Sequence, residues 1–273
     1  MTAWAFGDVH PEVVAALLLL AAAYLVGVRP LRRRYGWADS VSPWRIAAFF
    51  LALGITFLTV NGPLHDLSER SLVSAHMVQH LLLTLVIPPL LLTGTPAWLL
   101  RPLLTIPGVA GMGRRLTRPV VALSLYSVVF AAWHLPGLYQ WALRNHDAHI
   151  LEHLLFVAGA LLLWCPVLSP IAEWPRLTPP AQLLYLFVAG IPMVPVAAFM
   201  TLADEVLYPF YGEAAWQWGL SPLADQRLGG VIMWIGGPLA FLIAMTIVFF
   251  RWMGRDVEPA EVVPARGGAH GAL

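Results

Sequence analysis

Two pairs of histidines carry the strongest chemical signal in this chain. His76 and His80 are four residues apart, and so are His149 and His153. On an α-helix, positions i and i+4 share one face, with Cβ atoms about 6 Å apart. Each pair can therefore offer two imidazoles to one metal ion, or one to the ion and one to a supporting position. His134 lies between the pairs in the chain. Met77 adds a soft thioether suited to Cu(I), and Met193 and Met200 are weaker candidates of the same kind. Asp225 adds a carboxylate that can orient a ligating imidazole or cap the helix it opens. The candidate metal site is thus His76, His80, His134, His149, His153, Asp225 and Met77. The pairs also sit in similar text: residues 75–83 read AHMVQHLLL and residues 148–156 read AHILEHLLF. Five of these nine positions are identical, at an offset of 73, which reads as a parallel repeat of two helix pairs.

The elements that must position these groups are apolar helices. Of 273 residues, 59% are hydrophobic and 11% charged. An ordinary soluble domain carries about 25% charged residues. That excludes a soluble enzyme, a DNA-binding module and a disordered chain. The single cysteine, Cys165, excludes an intrachain disulfide. Seven apolar runs, 12–28, 44–60, 72–92, 119–135, 148–167, 181–201 and 227–250, approach the roughly 20 residues needed to cross a bilayer. The first lacks a preceding basic stretch, with Asp8 and Glu12 there instead, so it reads as a span and not a signal peptide. The fold class is all-α: a polytopic membrane bundle of seven transmembrane helices over 1–253. A Pro/Gly/Ala-rich tail, 254–273, reads as disordered. Pro88–Pro89 and Pro192–Pro195 predict kinks. Gly229, Gly230, Gly236 and Gly237 predict close helix contact.

Arginine placement orients the bundle. Seven spans put thirteen of the sixteen basic residues on one side, among them Arg29, Arg32–Arg34, Arg114, Arg115 and Arg251. That side is cytoplasmic by the positive-inside rule, so the N-terminus lies outside and the C-terminus inside. Ten of fifteen acidic residues fall on the opposite side.

Eight of nine histidines also fall on the outer side. His76, His80, His134, His149 and His153 sit within spans or at their ends at one depth, where ionisable groups are costly and usually functional. His10, His65 and His146 fall in connections and read as ordinary hydrogen-bonding imidazoles.

The segments HMVQH leading into LLLTLVIPPLLLTGTP, then WHLP, then HILEHLLFVAGALLLWCP, then DQRLGGVIMW resemble the multi-span CtaG-type cytochrome c oxidase assembly factors. The resemblance covers about 70–250. It implies a non-enzymatic, multi-pass protein of the bacterial plasma membrane that helps mature a haem–copper oxidase. Copper handled on the outer side is the implied cargo. The implied partners are oxidase subunits, a periplasmic copper chaperone and the lipid bilayer, with no nucleic acid. The implied key positions are His76, His80, His134, His149, His153 and Asp225. Two alternatives stand beside it. One is a b-type haem electron-transfer protein, with histidines of two helices as axial ligands. The other is a membrane zinc hydrolase with three histidine ligands and Asp225 or Glu152 as the acid. A copper permease is disfavoured, because the inner halves of the spans are nearly devoid of ionisable residues.

Overall fold

Proline opens seven of the eleven main helices among the described residues. It has no backbone N–H and a preset φ, so it suits a first turn, where the amide would be unpaired anyway. The computed structural model describes residues 9–174 and 176–256. Its main helices are α1 (Pro11–Tyr35), α2 (Pro43–Val60), α3 (Pro63–Arg70), α4 (Val73–Gly94), α5 (Ala97–Leu104), α6 (Val109–Leu116), α7 (Pro119–Trp133), α8 (Pro136–Arg144), α9 (His146–Leu168), α10 (Pro179–Leu202) and α11 (Pro222–Asp256). No strand is present among the described residues.

Among the described residues six helices, α1, α2, α4, α9, α10 and α11, are long and apolar enough to cross a membrane. α7 is the seventh only when joined to α6, from which it bends by 74°. Alone its 15 residues reach about 22 Å. The expected 119–135 span is shorter because Pro119 starts it and Pro136 starts the next helix. α1 runs past the expected 28 through a π-turn at Gly27–Leu31 that absorbs Pro30. α11 extends the expected 227–250 at both ends. Apart from Gly254–Asp256, which complete α11, the tail expected over 254–273 lies outside the described residues.

Both proline-rich spans are interrupted. In α10 the ladder breaks at Ile191–Pro192. In α4 a π-turn at Leu82–Val86 precedes Pro88 and Pro89. Pro88 cannot donate to the carbonyl four residues back, which is that of Thr84. Trp164 of α9 fills the gap: its indole N–H donates to Thr84 O at 3.0 Å.

The core lies between α4, α7, α9, α10 and α11, around Tyr126, Phe130, Phe156, Met193 and Phe241, all buried. α1 and α2 form a smaller cluster through Tyr24, Phe49 and Leu53. Leu18, Leu19, Val120, Ile235 and Phe250 point outward and exposed, as lipid-facing side chains do. Gly230 lets α11 press on α10: a Cβ there would stand 2.8 Å from Thr201 N and 2.9 Å from Ala197 O.

Candidate metal centre

One end of the bundle gathers the starts of α1, α4, α9 and α11, the ends of α2, α7 and α10, and the short helices α3 and α8. Two polar side chains set the ends that matter. Asn145 caps α9 by accepting from Ala148 N at 2.9 Å, which starts the helix just before His149, Glu152 and His153. Asp225 does the same for α4 from another helix, accepting from Val73 N at 2.6 Å, Ser74 N at 3.2 Å and the Ser74 hydroxyl. That fixes the turns bearing His76 and His80.

Three of the imidazoles are oriented by bonds to their Nδ1 atoms. His76 Nδ1 lies 3.2 Å from Ser68 O and 3.1 Å from the hydroxyl of Tyr211, which itself donates to Ser68 O at 2.6 Å. His134 Nδ1 donates to Phe130 O at 2.6 Å. His149 Nδ1 donates to Glu69 Oε1 at 2.8 Å. A proton held at Nδ1 leaves Nε2 as a lone pair, the arrangement of metal-ligating histidines.

The Nε2 atoms of His76 and His80 face Glu152. His76 Nε2 is 3.9 Å from Glu152 Oε2, and His80 Nε2 is 3.6 Å from Glu152 Oε1. The Nε2 atoms of His149 and His153 face each other at 2.9 Å. His76, His149, Glu152 and His153 each place one ligand atom within 4.8 Å of the others. The His134 ring stands one step further, with its centroid 5.3 Å from that of His80. His76, His80 and Glu152 are fully buried. Yet His76 Nε2, both His80 nitrogens, His134 Nε2 and both Glu152 oxygens have no hydrogen-bond partner. Each such group costs about 1–3 kcal/mol. A cation bound beside Glu152 would give His76 Nε2 and the carboxylate a partner. Imidazole with one carboxylate suits copper, zinc, iron or nickel.

Around this centre lies a more polar rim. His65 on α3 is buried, with Nε2 3.2 Å from Glu69 Oε1. Burial works to raise the Glu69 carboxyl, but the bonds it accepts from His149 and His65 outweigh that and hold it well below the usual carboxylate range. Tyr139 and Tyr208 lie beside the cluster, Tyr208 donating to His134 O at 2.8 Å. Burial pushes the phenols of Tyr139, Tyr208 and Tyr211 up, so they remain neutral.

The structure therefore brings five of the seven candidates together: His76, His80, His134, His149 and His153. Asp225 sits at the start of α4, bonded to Val73 and Ser74. Met77 is buried with its Cγ against Gly229 of α11. Four residues join that were not among these seven: Glu152, named in the sequence only as the acid of a zinc site, with Glu69, His65 and His10. Glu152 carried a signal, being three residues after His149 on the same helix face. His65 and Glu69 carried the same i, i+4 spacing as the histidine pairs.

Residues 22–255 match the family described as cytochrome c oxidase caa3 assembly factor. The uncharacterized protein Mb0105 of Mycobacterium bovis is 27% identical over 96% of this chain and 41% of its own length. The uncharacterized protein ML1998 of Mycobacterium leprae is 25% identical over 93% of this chain and 40% of its own length. The chain thus spans about two fifths of the curated relatives it matches. No solved structure matches it.

Proposed function

Because the chain belongs to the cytochrome c oxidase caa3 assembly factor family, we propose that its buried histidine cluster takes up a copper ion and passes it to a subunit of a haem–copper oxidase. The observation that carries this reading is the convergence of unpartnered His76, His80, His134 and Glu152 atoms in a chain otherwise poor in polar groups. His76, His149 and His153 supply Nε2 donors, and Glu152 supplies the charge that makes a buried cation tolerable. His80 and His134 are spare donors beside them, so the ion can leave by stepwise ligand exchange without becoming bare.

On the positive-inside rule we read this end of the bundle as the outer side of the bacterial plasma membrane, with the N-terminus outside and the C-terminus in the cytoplasm. A periplasmic chaperone would load the site there. The rings of His76 and His149 lie face to face with centroids 5.4 Å apart. Axial haem ligands must approach iron end-on from opposite sides, so this stacking favours a compact ion over a macrocycle. A hydrolytic zinc site would need an open position for water and substrate, and the burial of the centre speaks against that role. The role is delivery and not catalysis.

The test is metal analysis of the detergent-purified chain after copper loading, beside its visible spectrum. Bound copper that disappears in His76→Ala/His149→Ala is expected. A Soret band, or zinc retained in place of copper, overturns the reading. Deleting the gene should also lower haem–copper oxidase activity in the membranes.

A further inference from the structure

A second cluster of donors sits against the buried centre, on its open side. A cavity of about 40 Å³ there is lined by His10, Glu12, His65, Glu69, His146 and His149. That is room for more than one water-sized particle. His10, which precedes α1, is held by its backbone N–H, which donates to Asn61 Oδ1 at 2.8 Å. Its Nδ1 lies 3.2 Å from Glu12 Oε1, while its Nε2 is buried and without a partner. This is again a carboxylate holding the Nδ1 proton and leaving Nε2 as a lone pair. His10, His65 and Glu69 each place one ligand atom within 4.8 Å of the others.

We propose that His10, His65 and Glu69 form a second metal-ion site, which receives a divalent transition-metal ion and hands it to the buried centre through His149. This rests on the reading that the buried centre holds such an ion. His149 belongs to both layers. Its Nδ1 meets Glu69 at 2.8 Å and its Nε2 meets His153 at 2.9 Å. A carboxylate that ligates the arriving ion is thus already in contact with a ligand of the next site. The gradient of environment fits the direction: Glu12 and His146 are half exposed, His65 is buried, and Glu152 is sealed. Binding at His65 Nε2 requires a proton on Nδ1. That atom lies 3.0 Å from Gln79 Nε2, and Gln79 Oε1 has no partner. A half-turn of the Gln79 amide would present Oε1 to the Nδ1 proton; Gln79 Nε2 would give up its bond to Thr59 O at 2.8 Å, a loss that the bound ion must outweigh.

The test uses the full chain in detergent with Cu(II) as probe, measuring copper per chain and the rate of filling. Wild type is expected to hold two ions. His10→Gln/His65→Gln should hold one, and fill it more slowly. His76→Gln/His153→Gln should also hold one, in the outer site. Glu12→Gln should weaken the outer ion by about tenfold to a hundredfold, as loss of a supporting carboxylate does. A wild type that holds one ion, with amount and filling rate unchanged in His10→Gln/His65→Gln, overturns the outer site and leaves the buried one standing. One ion that is lost in His10→Gln/His65→Gln and kept in His76→Gln/His153→Gln overturns the buried site instead. Should the double variant melt early without metal, His10→Gln alone, on a part-exposed residue ahead of α1, carries the same expectation.

Discussion

Asp225 on the last helix holds the first amide of the helix that carries His76 and His80: its Oδ2 accepts from Val73 N at 2.6 Å. The same carboxylate accepts from Ser74 N at 3.2 Å, so the helix start depends on a residue about 150 positions away in the chain. Asp225→Ala leaves both donors unpaired in a buried place. Caps are worth about 0.5–2 kcal/mol, and burial argues for the upper end. Thermal unfolding in detergent should show a loss of about 2 kcal/mol, with Asp225→Asn recovering part, since an amide oxygen still accepts. Copper per folded chain should stay unchanged. Copper loss with an unchanged melting temperature would instead make Asp225 a ligand.

Glu152→Gln should have opposite effects with and without metal. Both carboxylate oxygens are buried and unpartnered. A neutral amide of the same shape cannot ionise in the buried site, so the metal-free protein should melt at the same temperature or higher. Copper at a hundred times its dissociation constant stabilises wild type by about 2.7 kcal/mol. If the amide weakens binding a hundredfold, the gain at the same copper concentration falls to about 0.4 kcal/mol. Melting curves with and without copper check both halves.

Trp164 and Pro88 should be coupled. The indole N–H occupies the Thr84 carbonyl that Pro88 cannot serve. Trp164→Phe should cost about 1 kcal/mol for the lost bond. In Pro88→Ala the helix can supply its own donor, so the second change should then cost less. A double-mutant cycle reads that difference, and strict additivity would refute the exchange of donors.

Much of this architecture was legible because apolar runs and prolines are local signals. The start of α2 falls within one residue of expectation, and Pro119 opens α7 as read. The pairing of His76/His80 with His149/His153 was legible for the same reason, since i, i+4 spacing needs only a helix. What could not be read was contact between distant segments. Asp225 opens its own helix in sequence but serves another's in space. Glu152 was read only as the acid of an alternative zinc site, and its burial depends on α4 covering it. His65 and His10 read as loop residues because nothing local reveals that α3 folds under α9 or that Asn61 ties down His10. Met77 follows a ligand candidate by one position, which on a helix turns it about 100° away, toward α11.

Gly230 and Gly54 should respond oppositely to alanine. Gly230 lies where α11 presses on α10, and an added Cβ would meet Thr201 N at 2.8 Å and Ala197 O at 2.9 Å. Both are backbone atoms, so no rotamer change relieves the clash and the helices must separate. Overpacking of this kind costs about 1–3 kcal/mol. The strain would reach the site, because Gln226 on the same turn of α11 accepts from Leu207 N at 2.7 Å, next to Tyr208, which bonds His134 O. Gly54 lies in α2 with open space around its Cα. There, alanine only removes the entropic cost of glycine in a helix and should stabilise by about 0.5–1 kcal/mol. Melting of the two single variants, with copper binding followed alongside, decides the matter. Gly230→Ala should lose stability and weaken copper binding, and Gly54→Ala should do neither. Equal melting temperatures for the two would show that α10 and α11 are not in close contact at Gly230.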